Sequence, residues 1–89
     1  MAKGTIAEPD YVAKLIAAIR SQLRGAEVTH EQVRGERYRF SVVWPRFDSM
    51  GHPERQRKVW DIAQRVLKNG DLRNVTMILT LGKDDLPKD

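Results

Sequence analysis

The sequence predicts a small α+β domain with the element order α-β-β-α-β. Two segments show the apolar periodicity of helices, and a run between them alternates as a strand does. Because the second predicted helix separates the second and third strands, their connection is a crossover, which joins parallel strands. We therefore expect a three-stranded mixed sheet with both helices packed on one face. The 89 residues suit a single domain with a small core, and we expect residues 1–8 and 82–89 to be flexible.

The first predicted helix follows Pro9, which suits a first helical position because it has no N–H to leave unpaired. Asp10 beside it complements the positive end of the helix dipole. Gly25 is placed to end the helix in the left-handed conformation. One apolar face follows the helical spacing and contains Val12, Leu15, Ile16, Ile19 and Leu23.

Two strands are predicted next, joined in a hairpin. Residues 26–33 are polar with interspersed β-branched residues, which is typical of a weak or edge strand. Gly35 provides a residue that is free to take positive φ in the turn. The following run alternates cleanly and places on one face Tyr38, Phe40, Val42 and Trp44.

The second helix is predicted to begin at Pro53 and Glu54, after a loop over residues 45–52, and to end at Asn69-Gly70. Its buried stripe comprises Val59, Ile62, Ala63, Val66 and Leu67. Its outer side is predicted to carry Arg55, Arg57, Lys58, Gln64, Arg65 and Lys68. The last strand alternates Val75, Met77, Leu79 and Leu81 against Thr76, Ile78 and Thr80.

No residue pattern indicates catalysis. The chain has no cysteine, which excludes disulfides, thiolate-bound metals and a cysteine nucleophile. His30 and His52 lack metal-ligand spacing, and P-loop, GxGxxG and GxSxG motifs are absent. The candidate carboxylates Asp48, Asp84 and Asp85 fall in predicted loops, where nothing would raise a pKa. We therefore expect a protein that is not an enzyme and uses no cofactor or metal.

The positive charge is localised. The net charge is +4, and residues 34–58, with seven basic and three acidic side chains, account for all of it. Arginines beside a helix N-terminus favour a phosphate-bearing partner, while the alternative is a solvated basic face without a ligand. The predicted nucleic-acid contacts are Arg37, Arg39, Arg46, Arg55, Arg57 and Lys58.

The sequence also predicts where the protein works. No apolar run approaches the roughly 18 residues that a membrane-spanning helix needs. The first residues lack the hydrophobic stretch of a signal peptide. We expect a soluble, cytoplasmic protein that does not bind membranes.

The stretch from Phe47 to Trp60 resembles the BolA family, in which a Phe-bearing loop precedes a helix with a characteristic opening. The opening here reads Arg55-Gln56-Arg57-Lys58-Val59-Trp60, and the end of the chain, VTMILTLGKDDLP, resembles the family's closing strand. The resemblance implies a fold akin to a type II KH domain. It also implies a regulatory or nucleic-acid-binding role.

Some family features are replaced. Gln56 stands at the motif histidine, and Thr76 stands at the histidine implicated in iron–sulfur ligation with a monothiol glutaredoxin. Neither an amide nor a hydroxyl is a good ligand for iron, so this glutaredoxin partnership is not predicted. Residues 49–52 read Ser-Met-Gly-His instead of GxxG, so nucleotide clamping of the KH type is not predicted either.

Three functional hypotheses follow. The first is a small BolA-like or KH-like module that binds nucleic acid, or regulates through it, with the six basic residues. The alternative is a protein-interaction module that uses the edge of the weak first strand or the helix bearing Trp60. The third is a metal-linked role, which requires His30 and His52 to be neighbours.

Overall fold

The computed structural model describes residues 8–86. Of the ends predicted to be flexible, 1–8 and 82–89, residues 1–7 and 87–89 lie outside the described residues. Two 3-10 helices span Pro45–Ser49 and Lys83–Asp85. The other elements, in chain order, are α1 (Asp10–Gln22), β1 (Glu27–Arg34), β2 (Arg37–Val43), α2 (His52–Val66), α3 (Asn69–Leu72) and β3 (Val75–Leu81).

The sheet confirms the predicted topology. Its strand order is β1-β2-β3, with β1 antiparallel to β2 and β2 parallel to β3. The hairpin turns at Gly35, whose φ of 56° is a conformation that favours glycine. The parallel pair is reached through α2 and α3, as expected for a crossover.

The core lies between the two long helices and one face of the sheet. The predicted alternation in β2 is confirmed, because Tyr38, Phe40, Val42 and Trp44 are all buried. Leu15 and Ile19 of α1 and Val59 of α2 are fully buried in the same cluster. The sheet is thus covered on one face, as the sequence predicted.

β3 does not keep the single alternation that its sequence shows. Val75 is buried, but Met77 and Leu79 are exposed while Ile78 and Thr80 point into the core. The cause is an irregularity in the pairing with β2, where Tyr38 lies opposite Val75 but Arg39 lies opposite Met77. The extra residue moves each later side chain of β3 to the other face.

Several predicted boundaries were wrong. The segment 45–49 is a 3-10 helix rather than an open loop, and α2 ends at Val66. Lys68 then takes extended backbone angles, so Asn69-Gly70 opens the short helix α3 instead of ending α2. Gly25 has the predicted positive φ, 86°, but lies three residues beyond the end of α1.

Tyr11 ties α1 to the hairpin turn before β2 and to the residue that precedes β3. Its partly buried hydroxyl shares its one proton between the backbone oxygens of Glu36, at 2.6 Å, and Asn74, at 3.1 Å. Desolvation, followed by the electrostatic influence of Tyr38, raises the pKa of Tyr11 to about 12. The hydroxyl therefore stays protonated and able to donate across the usual pH range. Within residues 8–86, none of the helices has the length and apolar character needed to span a membrane.

Candidate functional site

The six predicted basic contacts do not form one surface. Arg39 projects from the uncovered face of the sheet and pairs with Glu31, at 2.7 Å from Nε to Oε1. Arg37 lines a shallow depression at the hairpin together with Glu36. Arg57 and Lys58 lie on the outer side of α2, across the molecule from Arg39. The positive charge that the sequence concentrates in one segment is therefore spread in space.

Arg46 lies in a different element from the other five, which are on β2 and α2. It is exposed in the 3-10 helix that follows β2, and its Cζ is 5.8 Å from the centre of the Trp44 ring. This geometry is that of a cation–π contact. Trp44 is buried, and its indole N–H donates to the Arg24 backbone oxygen at 2.9 Å. Trp44 therefore belongs to the core, as predicted.

Arg55 is inside the protein, so its predicted place on the outer side of α2 is wrong. Only 7 % of the surface of Arg55 is exposed to solvent. The guanidinium donates to the backbone oxygens of Met50, at 2.9 Å, and Thr80, at 3.3 Å, and to Oδ2 of Asp85, at 2.7 Å. Arg55 thus joins the start of α2 to the end of β3 and to the residues that follow.

Asp85 completes this cluster in the segment that was predicted to be loose. Its carboxylate also accepts a hydrogen bond from the Gly82 N–H at 2.7 Å. The Gly82 hydrogen bond, followed by the hydrogen bond from Arg55, lowers the pKa of Asp85. The neighbouring Asp84 N–H donates to the Asp48 carboxylate at 3.0 Å. Residues 82–85 are therefore held against α2 and the preceding 3-10 helix.

Gln56 lies beside Arg55 at the outer edge of β3. Its Nε2 donates to the Ile78 backbone oxygen at 2.8 Å, and its Oε1 accepts from the Trp60 indole N–H at 3.0 Å. Gln56 and Arg55 together bind the oxygens of Ile78 and Thr80 at this edge. An edge strand whose backbone groups are occupied is a poor template for another strand. In the described part of the chain, β1 forms the other edge of the sheet and has no strand beyond it.

The second face of the sheet is not covered by any element within residues 8–86. We call it the open face and define it by three cross-strand rows. The strand register gives these rows as Glu27–Val43–Leu81, Thr29–Ser41–Leu79 and Glu31–Arg39–Met77.

The open face changes in character from one edge to the other. The β1 column carries two carboxylates, while the β3 column is entirely apolar. Leu79 is 44 % exposed and Met77 is 48 % exposed, although both lie within a strand. Among the described residues, the only other large hydrophobic side chain that is similarly exposed to solvent is Val33, near the hairpin. The open face is therefore the main apolar surface that the fold leaves uncovered.

The histidines do not form a metal site. His30 lies on β1, where its Nε2 is 2.7 Å from a carboxylate oxygen of Glu8. His52 begins α2, which packs against the opposite edge strand, β3. The two histidines thus lie towards opposite edges of the sheet, and residues 8–86 contain no cluster of three metal-ligating side chains. The metal hypothesis required neighbouring histidines, which this arrangement does not provide.

Comparisons with known proteins agree with this architecture. No protein-family model matches the sequence, and no curated protein matches it. The solved structure of BolA1 from Arabidopsis thaliana superposes with a TM-score of 0.70 at 16 % sequence identity. The match covers 89 % of this chain and 99 % of that one. The chain has a BolA-like fold.

The structure gives both Gln56 and Thr76 hydrogen-bond partners. Gln56 is occupied in hydrogen bonds to β3 and Trp60. The Thr76 hydroxyl donates to the Tyr38 backbone oxygen at 3.2 Å. Both side chains thus have structural partners, and neither type is a good ligand for iron.

Proposed function

We propose that this protein is a binding module, not an enzyme, and that it binds a protein partner through the open face. The observation that carries the proposal is the exposure of Met77 and Leu79 in the middle of a strand. Exposed apolar side chains that adjoin one another on an ordered surface mark interaction sites. The lack of cysteine suits action in the reducing cytoplasm.

Burial of these side chains would supply useful binding energy. Complete burial of a fully exposed Leu or Met contributes about 1.5–3 kcal/mol, so covering the exposed half of each contributes about 1 kcal/mol. Val43 and Leu81 adjoin them and are only partly exposed. A partner would therefore meet a pre-formed apolar surface on a rigid sheet.

The two protein-binding surfaces suggested by the sequence are less favoured. Trp60 is half-buried, and its N–H is bonded to Gln56, so α2 presents little free aromatic surface. β1 is an edge strand, but seven of its eight residues are exposed and it carries charged side chains, features that discourage pairing with another strand. The open face exposes more apolar surface to a partner than either α2 or the β1 edge does.

We expect the double substitution Met77→Lys with Leu79→Lys to abolish partner capture without unfolding the protein. Both side chains are about half exposed, so lysine places its ammonium in water while blocking an apolar contact. The measurement is capture of proteins from cells that express the chain, compared by mass spectrometry for the wild type and the variant. Thermal unfolding checks that the variant is folded.

The matched control is Ala13→Lys with Gln64→Lys, which adds the same charge at exposed positions on the two helices. The proposal expects this control to capture the same proteins as the wild type. If both double variants lose the same proteins, or neither does, the open face is not the binding surface.

A second candidate, nucleic-acid binding, is favoured by the outer side of α2. Its exposed residues include Arg57, Lys58 and Arg65, against Glu54 and Asp61, and exposed Lys68 follows two residues after the helix. One of these cations is engaged, because Arg65 pairs with Asp61 at 2.9 Å. Arg57 and Lys58 are the two sequence-predicted contacts on this surface.

If α2 binds nucleic acid, Arg57→Ala with Lys58→Ala should weaken binding and reduce its salt dependence, because fewer phosphate contacts release fewer counterions. Titrations of single-stranded RNA and duplex DNA at about 50 mM and 200 mM salt measure both effects. Lys14→Ala with Arg20→Ala removes the same charge from α1 and is expected to have little effect. Equal losses in both variants would indicate only non-specific attraction to a basic protein.

A further inference from the structure

The open face has a size and a charge distribution that restrict what can cover it. We propose that its partner is an amphipathic helix with an apolar stripe and lysine or arginine along one flank. This inference rests on the proposed function, because it specifies the partner of the same face. Three properties of the face support it, namely its area, its backbone hydrogen bonding and its charge.

The area is too small for a stable dimer formed through this face. The three rows span three strands about 4.8 Å apart and five residues of each strand, at about 3.3 Å per residue, so they cover roughly 14 by 17 Å. This is about 240 Å², whereas a stable interface buries about 800 Å² on each partner. A helix about 10 Å in diameter matches the width of the apolar and central columns. A single helical segment therefore fits the face better than a second copy does.

The face also offers nothing to an extended partner backbone. The N–H and C=O groups of the central strand are engaged with its neighbours on both sides. A partner backbone lying on this face must therefore satisfy its own hydrogen bonds, because buried unpaired backbone groups are costly. A helix does so internally.

The charge of the face differs in sign from that of the whole protein. The three rows contain Glu27, Glu31 and Arg39, a net charge of −1, while exposed Arg37 lies beyond them at the hairpin end of β2 and the protein carries +4. Arg39 pairs with Glu31, but Glu27 shares its row with Val43 and Leu81 only. A second copy bound through the same face would bring the carboxylates of its own β1 column, whereas a helix with a basic flank would place cations over the β1 column.

The spacing within that column agrees with a helix. Glu27 and Glu31 are four residues apart on a strand, which is about 13 Å. Two helical turns rise about 11 Å, so basic residues seven or eight positions apart would face the two carboxylates. The apolar stripe of the same helix would then lie over Leu79 and Met77.

Synthetic helical peptides test the inference directly. The probe is a fluorescent 16-residue peptide, with a leucine stripe and lysines at two flank positions seven residues apart. A second peptide has glutamates at those two positions, and a third has the lysine sequence scrambled. We expect the lysine peptide to bind the wild-type protein at least about tenfold more tightly than either of the others, at about 0.1 M salt.

Charge reversal on the protein supplies the decisive comparison. Glu27→Lys with Glu31→Lys changes exposed side chains and should reverse the preference, so that the glutamate peptide binds more tightly. Circular dichroism checks that this double variant is folded. The milder substitution Glu27→Gln removes one charge and should reduce the preference for the lysine peptide without reversing it. Equal binding of the two peptides, an unchanged preference in the charge variants, or no binding at all would overturn the inference. If the open-face lysine variant still loses its cellular partner, the proposed function stands and only this partner class is wrong.

Discussion

Arg55→Ala should lower the free energy of unfolding by about 3 kcal/mol, because it removes the donors that satisfy two backbone oxygens and each unsatisfied buried acceptor costs about 1–3 kcal/mol. Those oxygens belong to Met50 and Thr80. Loss of the ion pair with Asp85 adds little, because the Asp85 side chain is 36 % exposed and recovers hydration. Urea denaturation followed by circular dichroism measures the change.

Arg57→Ala is the matched control, since it removes the same side chain two residues later from an exposed position. Its effect should stay within about 0.5 kcal/mol. A loss below about 1 kcal/mol for Arg55→Ala, or equal losses for the two variants, would contradict the structural role of Arg55.

The pH dependence of stability gives a second measure of this cluster. Because the folded pKa of Asp85 lies below its ordinary value of 3.8, its contribution is fully present above that value. The contribution is lost as the pH falls through the lower, folded pKa. Arg55→Ala removes one cause of the shift, so it should weaken the stability decrease in acid.

Gly82→Ala should destabilise the protein by about 2–3 kcal/mol, the cost of overpacking a tight site. A Cβ at Gly82 would lie 2.9 Å from the Asp48 backbone nitrogen and 2.8 Å from its Cγ. The backbone there belongs to a 3-10 helix and cannot move aside without disturbing Phe47, which is fully buried. The φ of Gly82 is −85°, so the cost is steric and not conformational.

Gly70→Ala provides the comparison for this prediction. A Cβ at Gly70 meets no atom within 4 Å, and Gly70 lies in the short helix α3. Alanine there should be neutral or stabilise by up to about 1 kcal/mol, because it has the higher helix propensity. Thermal unfolding should therefore show a clear decrease in the unfolding temperature for Gly82→Ala and no decrease for Gly70→Ala. A similar decrease for both variants would contradict the close packing around Gly82.

The local patterns in the sequence were sufficient for the hairpin and for the start of α2. The alternation from Tyr38 to Trp44 and the glycine at position 35 are local signals, and both gave the observed structure. The local pattern did not predict which side chains of β3 are buried, because an irregular pairing with β2 interrupts the alternation of that strand. Pairing between strands distant in the chain is not encoded in the periodicity of either strand alone.

The position of Arg55 could have been found from the sequence. Arg55 lies four residues before Val59 and seven before Ile62, so the helical repeat places it on the buried stripe. Its charge favoured the outer side instead, and the carboxylate that compensates the burial comes from Asp85, thirty residues away. The open face required the structure, since its nine residues come from three strands whose register the sequence did not specify.

Site-specific photo-crosslinking in living cells tests the central claim, that the open face is the binding surface, and it does not require the partner to be identified beforehand. A photoreactive amino acid is placed at position 79 on the open face or, as the control, at position 64 on the outer side of α2. We expect a covalent adduct with a protein from position 79 and none from position 64. Adducts only from position 64, or none from position 79, would contradict the central claim.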